Sequence, residues 1–119
     1  MAKIIASKAE FEQILNEFQG IIVVDFFATR CGPCKMLSPV MEELATQYDE
    51  NQVKILKVDV DQVPELAEEY GIVSIPTVFF GTNHKLEEGV MGANPKEFYE
   101  GKIAEYQKKS ASQEENLIA

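Results

Sequence analysis

The chain has 119 residues, a formal net charge of −9, 45% hydrophobic residues, two cysteines and no tryptophan. That length fits one domain with its own core, and so acidic a balance excludes the basic footprint of nucleic-acid binding and disfavours anionic membrane surfaces. No apolar run approaches the roughly 20 residues needed to cross a bilayer. The opening Met1-Ala2-Lys3-Ile4-Ile5-Ala6-Ser7 turns polar before a signal-peptide core could form, so a cytoplasmic location is expected; a monomer is the expected state.

Phe11, Ile14, Leu15 and Phe18 recur at helical spacing behind a capping box at Ser7-Lys8-Ala9-Glu10, and Gly20 stops this helix. Residues 21–27 (Ile-Ile-Val-Val-Asp-Phe-Phe) form a near-continuous apolar run, the pattern of a central strand buried on both faces. Cys31-Gly32-Pro33-Cys34 then opens a helix carrying Leu37, Val40, Met41, Leu44 and Tyr48 on one face, with a kink expected at Pro39. Val53 to Val58 reads as a strand, and Asp61 to Tyr70 as a short helix ended by Gly71. Thr77 to Phe80 reads as a strand, with a turn near Gly81-Thr82-Asn83 and residues 85–91 as its hairpin partner. Asn94-Pro95-Lys96-Glu97 is a strong start for a last helix that runs to about Lys109. Residues 110–119 are polar, acidic and aperiodic, so a disordered tail is expected after a domain spanning 1–109. The order of strand, helix, strand, helix, strand, helix, hairpin and helix implies parallel right-handed crossovers first and an antiparallel pair last. That is an α/β fold, a mixed sheet between helices.

Two features carry chemistry. A disulfide between cysteines separated by two residues closes too small a loop to be a useful staple, so Cys31 and Cys34 point to catalysis or metal binding rather than to a structural role. At a helix N-terminus the Cys31 thiolate faces free amide donors and the positive end of the helix dipole, which makes it the expected nucleophile. Asp25 is a carboxyl inside an apolar strand; buried and poorly paired, it should titrate well above the ordinary range. His84, the single histidine, is expected on an exposed turn, and it does not complete a zinc site with two distant cysteines. Met36 and Met41 are expected in or near the core.

Val24-Asp25-Phe26-Phe27-Ala28, Cys31-Gly32-Pro33-Cys34-Lys35, Pro39, Lys57-Val58-Asp59, Ser74-Ile75-Pro76-Thr77, Gly89 and Gly92 together resemble the thioredoxin family over about residues 3–109. The resemblance implies the thioredoxin fold, a central mixed five-stranded sheet flanked by four helices. It implies a general protein-disulfide reductase, with no bound cofactor or metal, that acts on disulfide-containing client proteins and receives electrons from NADPH through thioredoxin reductase. It makes Cys34 the resolving thiol and pairs it with Cys31 in the oxidised state, with Gly32 admitting a partner's backbone and Pro33 stiffening the turn. It assigns Asp25 to proton transfer at Cys34 and Lys57 as its charge partner. It makes Pro76 a cis-proline whose neighbour Ile75 pairs with an extended client segment. Gly92 and Ala93 then line the same groove, with Val90 and Met91 as its apolar wall.

One position departs from the family. Tryptophan usually precedes the first cysteine, and here that residue is Arg30. At about 7 Å in water a unit charge contributes only about 0.6 kcal/mol to a thiolate, so the larger effect is expected in recognition, with a cation replacing a flat apolar contact. Two alternatives share the fold: a disulfide oxidase or isomerase, and a non-enzymatic interaction subunit that uses the groove to hold a partner.

Overall fold

The computed structural model describes the backbone of residues 1–118 and the side chains of residues 1–109. Its elements are β1 (Lys3–Ile4), α1 (Lys8–Glu17), β2 (Ile21–Phe27), α2 (Gly32–Gln47), β3 (Val53–Asp59), α3 (Pro64–Glu69), β4 (Thr77–Thr82), β5 (Lys85–Met91) and α4 (Lys96–Ile118). The five strands form one sheet in the order β1-β3-β2-β4-β5. β1 and β2 run parallel to β3, whereas β2–β4 and β4–β5 are antiparallel. The mixed sheet and four helices match the expectation. The tail expected over 110–119 lies outside the residues whose side chains are described.

β2 lies at the centre and is buried along its length except at Phe27. Because successive side chains of a strand alternate between faces, β2 splits the core in two. Ile21 and Val23 join Leu37, Met41 and Leu44 of α2 and Tyr99, Ile103 and Tyr106 of α4. Ile22, Val24 and Phe26 face the other way, onto Phe11 of α1 and Leu66 of α3. Asp25 shares the parity of Ile21 and Val23, so its carboxyl is placed on the face covered by α2.

Local sequence explains most boundaries. Ser7 Oγ accepts the Glu10 amide and Glu10 Oε1 accepts the Ala6 amide, so the box at the start of α1 closes one residue further back than expected. At the end of α3, Gly71 has φ +63°, and the amides of Gly71 and Ile72 donate to the carbonyls of Glu68 and Ala67. That left-handed cap suits glycine, which has no Cβ to clash.

Four expectations need correction. The helix expected from Asp61 begins at Pro64, because Asp59 first accepts the amides of Gln62 and Val63 in a turn. β4 continues through Thr82, and the reversal falls on Asn83 and His84, both at positive φ (55° and 66°), as a two-residue hairpin turn demands. The last helix begins at Lys96, and its backbone continues to Ile118, past the end expected at about Lys109. Met41 is buried as expected, but Met36 is 75% exposed: α2 turns Cys34, Leu37, Met41 and Leu44 to the sheet, and Met36 lies off that face.

Phe26 is fully buried, with ring centroids 5.9 Å from Tyr70 and 5.7 Å from Phe79. Phe26→Ala should therefore cost about 3–5 kcal/mol, read as a lowered urea midpoint at unchanged slope. Met36→Ala should stay within about 0.5 kcal/mol.

Candidate functional site

The site begins where β2 ends. The chain leaves the sheet after Phe27 and reaches Cys31, the N-cap of α2, in an extended conformation (φ −93°). Cys31 Sγ accepts the amide of Cys34 at 3.2 Å, so the sulfur sits where a serine or aspartate oxygen would normally cap a helix. Cys31 and Cys34 are disulfide-bonded, with Cα atoms 5.2 Å apart. Pro33 lies in the first turn of α2, where its missing amide hydrogen costs nothing. Cys31 is 9% exposed and Cys34 3% exposed, so the first sulfur is the more accessible. A Cβ built on Gly32 would meet nothing within 4 Å, which leaves that flank open to an approaching backbone.

The cis Ile75–Pro76 bond lies beside the dithiol, and Cys31 Sγ is 3.7 Å from the Ile75 carbonyl oxygen. The Gly92 amide donates to the Pro76 carbonyl at 2.8 Å, joining the start of β4 to the end of β5. Gly92 has φ +93°, a conformation that explains glycine there. Buried Tyr99 fixes the next residues: its hydroxyl accepts the Asn94 amide and donates to the Gly92 carbonyl. Val90 and Met91 fall on opposite faces of β5. Val90 packs on the core beneath α4, and Met91 is 64% exposed, so the two do not form one wall.

Beneath α2, Asp25 is completely buried, and neither carboxylate oxygen has a hydrogen-bond partner among the described residues. Burial pushes its pKa up from 3.8 to about 6, with the positive charge of Lys57 pulling the other way. Lys57 is the register partner of Asp25 on β3, yet it forms no ion pair with it. Its ammonium donates to Ser38 Oγ at 2.8 Å and lies 4.7 Å from the centroid of the Phe27 ring. The expected charge partner is thus adjacent but held elsewhere.

Arg30 is exposed and bends across to Asp61, with Nε 3.4 Å from Oδ2 and a second contact of 3.5 Å. It borders a groove of about 310 Å³ that continues over Val60, Val73, Ser74 and Ile75. His84 is on an exposed turn, as expected, with Nδ1 3.0 Å from the Leu15 carbonyl oxygen, remote from the dithiol in the fold.

Sequence reasoning missed Ser38, Asp61, Val60 and Val73. Ser38 was legible in part, since it lies four residues after Cys34 and therefore on the same side of α2. Asp61 carried no signal, because its pairing with Arg30 joins two loops far apart in the chain.

Comparison with known proteins agrees with this geometry. The thioredoxin family model matches residues 2–105. The chain belongs to the thioredoxin family. It is 41% identical to the thioredoxin of Listeria monocytogenes over 98 residues, covering 82% of this chain and 92% of that one. It is 43% identical to a thioredoxin of Staphylococcus aureus over 97 residues, covering 82% and 90%. The structure of Plasmodium falciparum thioredoxin superposes with a TM-score of 0.79 at 37% identity, covering 88% of this chain and 99% of that one. The chain is accordingly a disulfide oxidoreductase, a thioredoxin-type protein-disulfide reductase working through the Cys31–Cys34 pair. Among the described residues no helix is long and apolar enough to cross a membrane.

The titration of Asp25 has a consequence for stability. Its folded pKa lies above its unfolded one, so the folded state holds the proton more tightly; the associated stability is fully present below about pH 4 and is lost as pH rises through about 6. Asp25→Asn should therefore raise the unfolding free energy at pH 7.5 by about 3 kcal/mol, and the gain should vanish below about pH 4. Urea titrations of both proteins across that range check this, and a gain independent of pH would contradict it.

Proposed function

We propose that this thioredoxin-family chain reduces disulfides of client proteins in the cytoplasm as a monomer, with electrons from NADPH delivered by a thioredoxin reductase. The observation that carries the chemistry is Cys31 Sγ at the N-cap of α2, accepting the Cys34 amide, beside an open flank at Gly32 and the Ile75 carbonyl.

In the reduced protein the Cys31 thiolate is stabilised by the first amides of α2 and by the helix dipole; thioredoxin thiols titrate near 7 against about 8.5 for free cysteine, worth about 2 kcal/mol. It attacks one sulfur of the client disulfide. A Cys31–client bond forms, the client's internal S–S bond breaks, and the second client sulfur leaves as a thiolate. Ile75 offers its backbone to the extended client segment, with Gly92 and Ala93 across the groove. Asp25, ionised at neutral pH but more basic than an ordinary carboxylate, accepts the proton of Cys34. The Cys34 thiolate then attacks Cys31 Sγ, the mixed disulfide breaks, and the client sulfur leaves as a thiolate. Two electrons have passed to the client, and Cys31–Cys34 is oxidised, ready for its reductase.

Arg30 sets the recognition on one rim. Its pairing with Asp61 is exposed and solvent-screened, so it contributes little to stability but orients the guanidinium along the groove. An acidic client residue can exchange with Asp61 for the same bidentate donor.

Two measurements test these roles. In single-turnover kinetics at pH 7, Asp25→Asn should slow release of the mixed disulfide about 100-fold and its formation less than about threefold; equal slowing of both steps would count against proton transfer by Asp25. Arg30→Trp should shift the kcat/KM ratio between acid-flanked and apolar-flanked disulfide peptides by about tenfold, the effect of one lost charge contact. A changed potential with an unchanged ratio would show that Arg30 acts on the dithiol instead.

A further inference from the structure

Ser38 sits on α2 one turn after Cys34 and is half-buried. A cavity of about 280 Å³ is lined jointly by Cys34, Ser38, Lys57 and Phe27. Within it the Ser38 hydroxyl is the one hydrogen-bond acceptor that Lys57 Nζ finds among the described residues, at 2.8 Å. The Phe27 ring holds the other side of the ammonium. Asp25, in register with Lys57 and on the same face of the sheet, has both oxygens unpartnered among the described residues. A lysine stem is flexible and its ammonium has three donors, so it can reach more than one acceptor.

We propose that Ser38 is a positioning residue for the resolving step: its hydroxyl anchors the Lys57 ammonium and holds that charge off the Asp25 carboxylate, keeping the carboxylate free to take the Cys34 proton. This rests on the reading of Asp25 as the base. The other groups facing Asp25 do not replace the anchor. β4 opposes it with Val78. On α2, Lys35 is exposed at the mouth of the cavity, and Cys34 carries no charge until it gives up its proton. Asp59, two residues further along β3, is occupied by the Asp61 amide.

Removing the hydroxyl frees the ammonium to move toward the Asp25 carboxylate, its cross-strand register partner. An ammonium brought within ion-pair distance of a carboxylate lowers its titration by about one pH unit or more. Ser38→Ala is compatible with the helix, alanine being the better helix former, and Ser38→Thr restores the hydroxyl. The test is a carbon-13 NMR titration of the Asp25 carboxyl in the oxidised protein, where neither cysteine titrates, together with the pH profile of mixed-disulfide release. In Ser38→Ala the carboxyl midpoint and the acid limb of release should both fall by about one pH unit, and Ser38→Thr should return both toward the parent. An unmoved carboxyl midpoint in Ser38→Ala overturns the proposal. A midpoint that falls while the release profile stays fixed supports the anchor and overturns Asp25 as the base.

Discussion

β2 is hydrogen-bonded to β3 along one side and to β4 along the other, and its residues are packed on both faces. A strand held in this way cannot slip by one residue without exchanging its two apolar sets. That constraint fixes three things together. It puts Asp25 under α2, it sets Asp25 opposite Lys57, and it releases the chain after Phe27 at the point where Cys31 becomes the cap of α2. The dithiol and the buried carboxyl are thus positioned by one register, and the antiparallel pairing of β2 with β4 brings the cis-proline loop to the same end of the sheet.

The electrostatics at that end divide into an open and a closed half. At the rim, Cys31 Sγ accepts the Cys34 amide, and an exposed Arg30 guanidinium paired with Asp61 lies beside the groove. Below, Asp25 and Lys57 carry opposite charges in apolar surroundings without bonding to each other. A fully formed ion pair would hold the carboxylate ionised and weakly basic; a carboxyl with no neighbouring charge would stay protonated at neutral pH. Asp25 lies between those limits, with no ion pair to Lys57 but within the influence of its charge, and its pKa is raised to about 6. The unfavourable burial of that group is stability given up at a functional position.

Much of this was legible in the residues. The apolar run of β2 admits only a central strand, and a C-x-x-C pair after it signals a helix-capped dithiol whatever the relatives are. Asp25 stood out because a charge has no bland place in such a run. What was not legible depends on tertiary choices among side chains. The family resemblance makes Lys57 the charge partner of Asp25, but its long side chain takes the hydroxyl of Ser38, which only the docking of α2 supplies. Arg30 was seen as a departure from the family, yet its engagement with Asp61 depends on the fold of the turn before α3. Met36 was placed in or near the core by composition, whereas the helical phase set by Cys34 and Leu37 turns it outward. The hairpin turn moved to Asn83-His84 because the pairing of β4 with β5 continues past Gly81, through a bulge.

The Cys31–Cys34 pair works as a reductant, with Cys31 Sγ held at the start of α2 by the Cys34 amide. The most direct test is the reduction potential of this couple, measured by equilibration against a thiol buffer at pH 7. A value near −270 mV, characteristic of thioredoxins, is the expected result. A value above about −200 mV would place the chain with disulfide oxidants and isomerases and contradict the account.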